Sequence, residues 1–177
     1  MRKVILYIAA SIDGFIADKN GGVSWLQGDD SDLQAEGTYN RFIESVDTII
    51  LGYSTYHQIV TELSPDTWVY KGKKTYVLTH RSLEPVDEEI FFTNEDLKSL
   101  IKRLKAKEGK NIWICGGASI INQLIDLDLI DMYTITIVPT ILGDGIPLFG
   151  KHRNELKLQM ISTVNYNGFV ETTYKKR

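Results

Sequence analysis

The sequence predicts an α/β fold built on a mixed, mostly parallel central sheet that ends in an antiparallel hairpin. Three observations carry this. Short apolar runs alternate along the chain with segments of helical periodicity. Two of these runs stop at a glycine and pass directly into a helical pattern. Asn167-Gly168 separates two strand-like segments near the end.

Taken in order, residues 4–10 form a mostly apolar run, as a central strand covered on both faces requires, and Asp13-Gly14 closes it. Asn20-Gly21-Gly22 marks a second turn. Over 31–46, Leu33, Tyr39, Phe42, Ile43 and Val46 recur at helical spacing and predict the first helix. Residues 48–51 predict a buried strand ending at Gly52, with Ser54 capping a short helix to residue 61. Strands follow over 74–79 and 89–92. Thr93-Asn94-Glu95 then opens a helix to residue 107, with Leu97, Leu100, Ile101 and Leu104 on one side and lysines on the other, and Gly109 ends it. Residues 111–115 predict a strand that runs into Gly116-Gly117 and a helix carrying Ile120, Ile121, Leu124 and Ile125. Residues 132–138 alternate as a strand does, and 156–164 and 169–174 flank the hairpin turn.

Composition narrows the function classes. At 177 residues and 43% hydrophobic content, with four scattered prolines and no repeat, the chain is expected to form one domain over 1–177. Twenty Lys and Arg against 23 Asp and Glu give a net charge of −3 with no basic block, which argues against a nucleic-acid partner. Cys115 is the only cysteine, so neither an internal disulfide nor a multi-cysteine zinc site is expected, and His57, His80 and His152 are too scattered to suggest a metal. No apolar run reaches the ~18–20 residues of a bilayer span, and the start lacks the pattern of a secretory signal. A cytoplasmic protein with no membrane partner is the expectation. Cys115 reads as a small buried hydrophobe, Trp25, Trp68 and Trp113 as core, and the lysine-rich stretch 98–110 as a solvated helix face.

The two glycine turns are the candidate site. Gly52-Tyr53-Ser54-Thr55 and Gly116-Gly117-Ala118-Ser119 each follow a buried strand and open a helix. Glycine admits a ligand to the main chain, and a helix start offers unpaired N–H groups and the positive end of the dipole. Together the turns suit the two ends of a pyrophosphate, although each alone serves equally for chain reversal. A third strand end, Leu78-Thr79-His80-Arg81-Ser82, supplies a guanidinium able to grip a phosphate such as the 2′-phosphate of NADPH, or to stand as an ordinary surface arginine.

These fragments occur in a specific order: 11–17 (Ser-Ile-Asp-Gly-Phe-Ile-Ala) followed by Trp25, then 47–56 (Asp-Thr-Ile-Ile-Leu-Gly-Tyr-Ser-Thr-Tyr), and 75–79. Gly116-Gly117-Ala118-Ser119 follows, and 138–145 (Val-Pro-Thr-Ile-Leu-Gly-Asp-Gly) runs on through Leu148-Phe149. In this they resemble the dihydrofolate reductase-like superfamily, and more closely the stand-alone relatives of the C-terminal reductase domain of the bifunctional riboflavin-biosynthesis deaminase/reductase. The resemblance covers nearly the whole chain. It implies a three-layer, dihydrofolate reductase-like fold, a homodimer, NADPH as cofactor and a small heterocyclic substrate. By that likeness Ala10, Ile16 and Ala17 line the nicotinamide site, and Gly52, Ser54 and Thr55 meet the cofactor phosphates. Leu78, Thr79 and Arg81 surround the adenosine end. Gly116, Gly117, Ala118, Ser119 and Ile120 cradle the pyrophosphate from the other side.

The chain departs from the pattern twice. Tyr53 stands where dihydrofolate reductases commonly carry a basic residue. The Asp-Pro-x-Leu-x-x-Arg stretch with which riboflavin-pathway reductases grip a ribose phosphate is replaced over 56–66 by residues with no arginine. For the proton that must accompany the hydride, the position matching the acid of dihydrofolate reductases is Glu36, on a helical face with Leu33, Asn40 and Ile43; a carboxylate there also suits a helix start. Asp29, Asp30 and Asp32 are rivals, read first as a solvated capping loop, and Asp13 as a turn residue. Two readings stand: a reductase of a flat nitrogen heterocycle, or an NADP(H)-binding regulatory protein without turnover.

Overall fold

A computed structural model describes residues 1–32, 34, 37–84, 86–151 and 155–177. Its strands, in chain order, are β1 (Val4–Ser11), β2 (Phe15–Ala17), β3 (Val46–Gly52), β4 (Lys74–Leu78), β5 (Ile90–Thr93), β6 (Asn111–Gly116), β7 (Met132–Val138), β8 (Ile146–Pro147), β9 (Leu158–Tyr166) and β10 (Phe169–Lys176). The helices are α1 (Tyr39–Glu44), α2 (Tyr53–Gln58), α3 (Leu97–Lys105) and α4 (Ala118–Asp126). The main sheet has the order β5-β4-β3-β6-β1-β7-β10-β9. It is parallel from β5 to β7 and antiparallel across β7-β10-β9, the mixed sheet that the alternating pattern predicts.

Both faces are covered because the strands are apolar in both phases of their two-residue repeat. On β1, Val4, Leu6 and Ala10 pack with Leu100, Ile101 and Leu104 of α3 and Ile121 and Leu124 of α4. Ile5 and Tyr7 point the other way, to Phe42 of α1 and Tyr56 of α2. Three layers result. At the closing hairpin, Asn167 and Gly168 both have positive φ, 44° and 77°, as a tight two-residue turn between twisted strands requires.

Several boundaries differ from expectation, and one strand pair was not expected at all. The first helix is short: Val46 already belongs to β3, opposite Asn111, while the main-chain N–H groups of Ser31 and Gln34 bond the Asp29 and Asp32 carboxylates in local turns. Leu33 and Glu36 lie outside the described residues. α2 is capped by Gly52 rather than Ser54, begins at Tyr53 and widens into a π-helical turn over Ile59–Leu63. α3 starts later, since Thr93 completes β5 and Asp96 is the cap. The β2–β8 pair carries no periodic signal, being only three and two residues long; Leu148 N–H bonding Gly14 O at 2.8 Å fastens it.

Asp13 explains how that pair is held. Its carboxylate accepts from Ser11 Oγ at 2.6 Å and from the N–H groups of Leu142 and Gly143 at 3.1 and 2.7 Å. The Ser11 hydroxyl, then the main-chain donors, hold its pKa below the usual carboxylate range. A group depressed in the folded state stabilises above its unfolded pKa of about 4 and loses that contribution as pH falls through the lower folded value. Hydrogen exchange of the 140–145 loop is therefore expected to stay protected at pH 5 and to open below about pH 4. Asp13→Asn opens the same loop at neutral pH; an unchanged exchange pattern in that variant assigns the loop's order to other contacts.

Candidate functional site

β3 and β6 are neighbours, with Leu51 in register with Gly116, so the turns after them open side by side at the carboxyl edge of the sheet. Gly52 and Gly117 are the N-caps of α2 and α4, both extended (φ −83°, ψ 159° and φ −84°, ψ −165°), and neither helix start has a side-chain cap. The two turns approach closely, and Ile120 and Thr55 reach the space beside them. A Cβ on Gly52 would stand 3.1 Å from Ile120 Cδ1 and 3.9 Å from Gly117 N, and one on Gly117 would lie 3.4 Å from Thr55 Oγ1. Gly116 has φ +130°, open to glycine and strained for other residues, and the Gly116–Gly117 peptide is cis. α3 contrasts with both: the Asp96 carboxylate already accepts from Lys98 and Ser99 N–H at 3.0 and 3.1 Å, closing that helix start to an anion.

A groove of about 910 Å³ runs over these turns. Of the residues expected from sequence, Gly52, Ser54, Leu78, Thr79, Arg81, Gly117, Ala118, Ser119 and Ile120 line it. Thr55 reaches the gap from the side, across from Gly117. Ala10 does not reach it: at 1% exposure it packs into the α3–α4 core, because its place in the β1 alternation turns it to that face. Ile16 is half-buried and Ala17 buried on β2, beside the groove rather than in it. Their β8 neighbour Ile146 is the lining residue. Glu36 lies outside the described residues. The structure adds the start of α3 to the lining, from Asn94 to Lys98, which sequence reasoning missed because those residues carry only a capping signal.

Arg81 is held in an informative way. Its guanidinium carbon lies 4.4 Å from the ring centroid of Tyr53, and its main-chain N–H donates to Thr79 Oγ1 at 3.1 Å. Among the described residues no carboxylate forms an ion pair with it. Tyr53, the departure from the basic residue of dihydrofolate reductases, thus serves as a platform that carries a guanidinium in from β4.

On the other face, near the same end of β6, aromatic rings gather. Trp113 meets Tyr39 edge-on at 6.1 Å and Tyr70 at 5.1 Å, and the Tyr70 hydroxyl is 3.6 Å from Cys115 Sγ. Tyr39 is 40% exposed at the rim of this cluster, whereas Trp113 and Phe42 are buried in it. Burial pushes the Cys115 thiol up to about 11, which keeps it a thiol at neutral pH, as the hydrophobe reading expects.

Residues 2–168 match the model of the RibD C-terminal domain family. The chain belongs to that family. It is 40% identical over 173 residues to the uncharacterized protein YwjB of Bacillus subtilis (strain 168), covering 98% of this chain and 97% of that one. Among solved structures it is similar to a Shewanella sp. PV-4 protein named for riboflavin biosynthesis, with TM-score 0.86, 30% identity and 99% of both chains covered. The fold extends to dihydrofolate reductase of Enterococcus faecalis, solved with NADP(H), with TM-score 0.69 at 16% identity over 98% of this chain and 96% of that one. The RibD C-terminal domain family is thus the one that the ordered sequence fragments resemble, and its fold is dihydrofolate reductase-like. Among the described residues, no helix is long and apolar enough to cross a membrane.

Proposed function

We propose that this protein is an NADPH-dependent reductase that passes a hydride to a flat nitrogen heterocycle. The substrate is a pyrimidine of the riboflavin pathway, such as 5-amino-6-(5-phosphoribosylamino)uracil, or a pterin such as dihydrofolate. One observation carries the reading: the glycine-capped starts of α2 and α4, neither with a side-chain cap, lie side by side on neighbouring strands and line one groove. Main-chain amides of both turns suit a diphosphate there, and Arg81 on its Tyr53 platform suits the 2′-phosphate. NADPH supplies the hydride; the chain supplies orientation, a water-poor pocket and a proton donor. The reading includes a homodimer, which light scattering tests. Residues 56–66, where related reductases grip a ribose phosphate, hold no arginine, and this favours a substrate without that phosphate or, as a second reading, a regulatory NADP(H)-binding protein.

Calorimetric titration with NADPH is expected to show saturable binding, and absorbance loss on adding dihydrofolate or the phosphoribosylaminouracil to follow turnover. Binding with no consumption of either selects the regulatory reading. Arg81→Glu is expected to weaken NADPH by about 10–100-fold, the loss of one charge-assisted phosphate pair, and to leave NADH nearly unchanged. Equal losses for both nucleotides would return Arg81 to the scaffold.

A further inference from the structure

The strands β7 and β10 bury polar side chains and present apolar ones outward. On β7, Thr134 and Thr136 are buried, while Ile135 and Ile137, which alternate with them, are only half-buried. β10 repeats the inversion: Glu171 is 2% exposed and its neighbour Val170 40%. A sheet with one face in water turns its apolar residues in and its polar residues out. Here the inward polar groups are bonded within the protein. Glu171 accepts from the hydroxyls of Tyr7, Thr38 and Thr136, and Thr134 Oγ1 lies 3.1 Å from Thr173 Oγ1. The outward isoleucines and valine have no such account.

The register places these outward residues on one face. Val170 stands opposite Ile137, Thr172 opposite Ile135, and Tyr174 opposite Met160 of β9. Met160 is 60% exposed, and a bulge beside it adds the exposed Ile161. α3 and α4 pack on the same side of the sheet against β4, β3, β6 and β1; the outer strands β10 and β9 lie beyond them in the sheet order. From Val170 to Tyr174 and from Met160 to Asn165 no residue on this face is charged, in a chain that is 24% charged. Lys176, at the far end, is paired with Asp128 at 2.6 Å.

We propose that the β7-β10-β9 face docks a second copy of this chain, the two sheets packing face to face about a two-fold axis. A neutral apolar face is its own complement: a two-fold copy sets no like charges together and strands no desolvated charge, whereas a charged partner surface would. The area suffices. The strands are seven to nine residues long and about 4.8 Å apart, so they present roughly 400 Å² in plan. Side-chain relief and the exposed Ile12 and Ile141, just past β1 and β7, carry this beyond the ~500 Å² per partner of a specific interface. The inference deepens the homodimer of the reading above and rests on it for the number of copies; the surface rests on the inversion in β7 and β10.

Sedimentation velocity over about 1–100 μM, a range that resolves a dimer of micromolar affinity, is expected to show the native protein as a dimer. Val170→Glu enters a two-fold interface twice and is expected to weaken the dimer by about 100-fold or more, with a native circular dichroism spectrum. Met160→Glu, on the next strand, is expected to do the same and serves should Val170→Glu fold poorly. Val86→Glu, at an exposed position between β4 and β5, is expected to leave the dimer intact. A monomeric native protein overturns both this surface and the homodimer. A dimer that persists in the Val170 and Met160 variants, or that dissociates equally in the Val86 variant, removes this surface and leaves the homodimer. NADPH titration of the same samples decides the reductase reading separately, since none of these three residues lines the groove.

Discussion

Gly52→Val is expected to fold normally and to lose NADPH affinity by about 100-fold or more. The backbone there is extended, φ −83° and ψ 159°, where a β-branched residue is at ease. Its Cβ presses only on the flexible end of Ile120, 3.1 Å away, so the fold has little to resist. The added methyl groups, however, occupy the space between the α2 and α4 starts. A diphosphate kept from both sets of amides loses at least two charge-assisted hydrogen bonds, each about 1.5–3 kcal/mol, which converts to roughly 100-fold or more in affinity. Gly116→Ala is the informative companion. At φ +130° a side chain is strained, and a cost of about 1–3 kcal/mol is expected to appear as a lower melting temperature. Calorimetric titration and thermal melts of the two variants separate a blocked site from a weakened scaffold. Native-like NADPH binding by Gly52→Val would remove the paired turns from cofactor binding.

The order of strands and helices was legible because burial writes a period into the sequence. The alternating phases of β1 and the apolar stripe of α3, Leu97, Leu100, Ile101 and Leu104, fall where packing on the sheet needs them. The groove was legible for a related reason: glycine at two strand–helix turns leaves a mark, and parallel neighbours bring such turns together. What escaped was set by partners distant in sequence. Ala10 shares its run with residues of the opposite face, and only the pleat decides which face it takes. Ile146 reaches the groove because β8 pairs with β2. Glu171 sits in a segment that reads as an edge strand, where a carboxylate passes for a solvated residue; its burial depends on Tyr7 and Thr38, more than 130 residues away. Tyr53 read as a lost phosphate contact, and its pairing with Arg81 required the β4 end to come alongside.

Arg2 carries the second large expected effect, at the opposite edge of the sheet from the groove. It is 6% exposed, and its guanidinium donates to Lys110 O at 2.7 Å, Leu104 O at 3.1 Å and Thr48 Oγ1 at 2.6 Å while pairing with Asp47. One side chain thereby ties the end of α3 and the start of β6 to the entry of β3. Arg2→Met keeps the apolar stem, leaves those carbonyls without that donor, and leaves the Asp47 carboxylate without its cation, held only by Lys110 N–H and the Thr48 hydroxyl. Breaking a buried pair costs about 3–5 kcal/mol, and the 37% exposure of the Asp47 side chain places this one at the lower end, about 3 kcal/mol. For a chain of this size that lowers the melting temperature by about 6–12 °C. NADPH affinity measured below the transition is expected to match the native value, because none of these contacts reaches the carboxyl edge where Gly52 and Gly117 open. A melting temperature within about 2 °C of native would mean that water replaces the guanidinium at those carbonyls. A parallel loss of NADPH affinity would mean that the two edges of the sheet are coupled through β3 and β6, the strands that carry both the clamp and the turns.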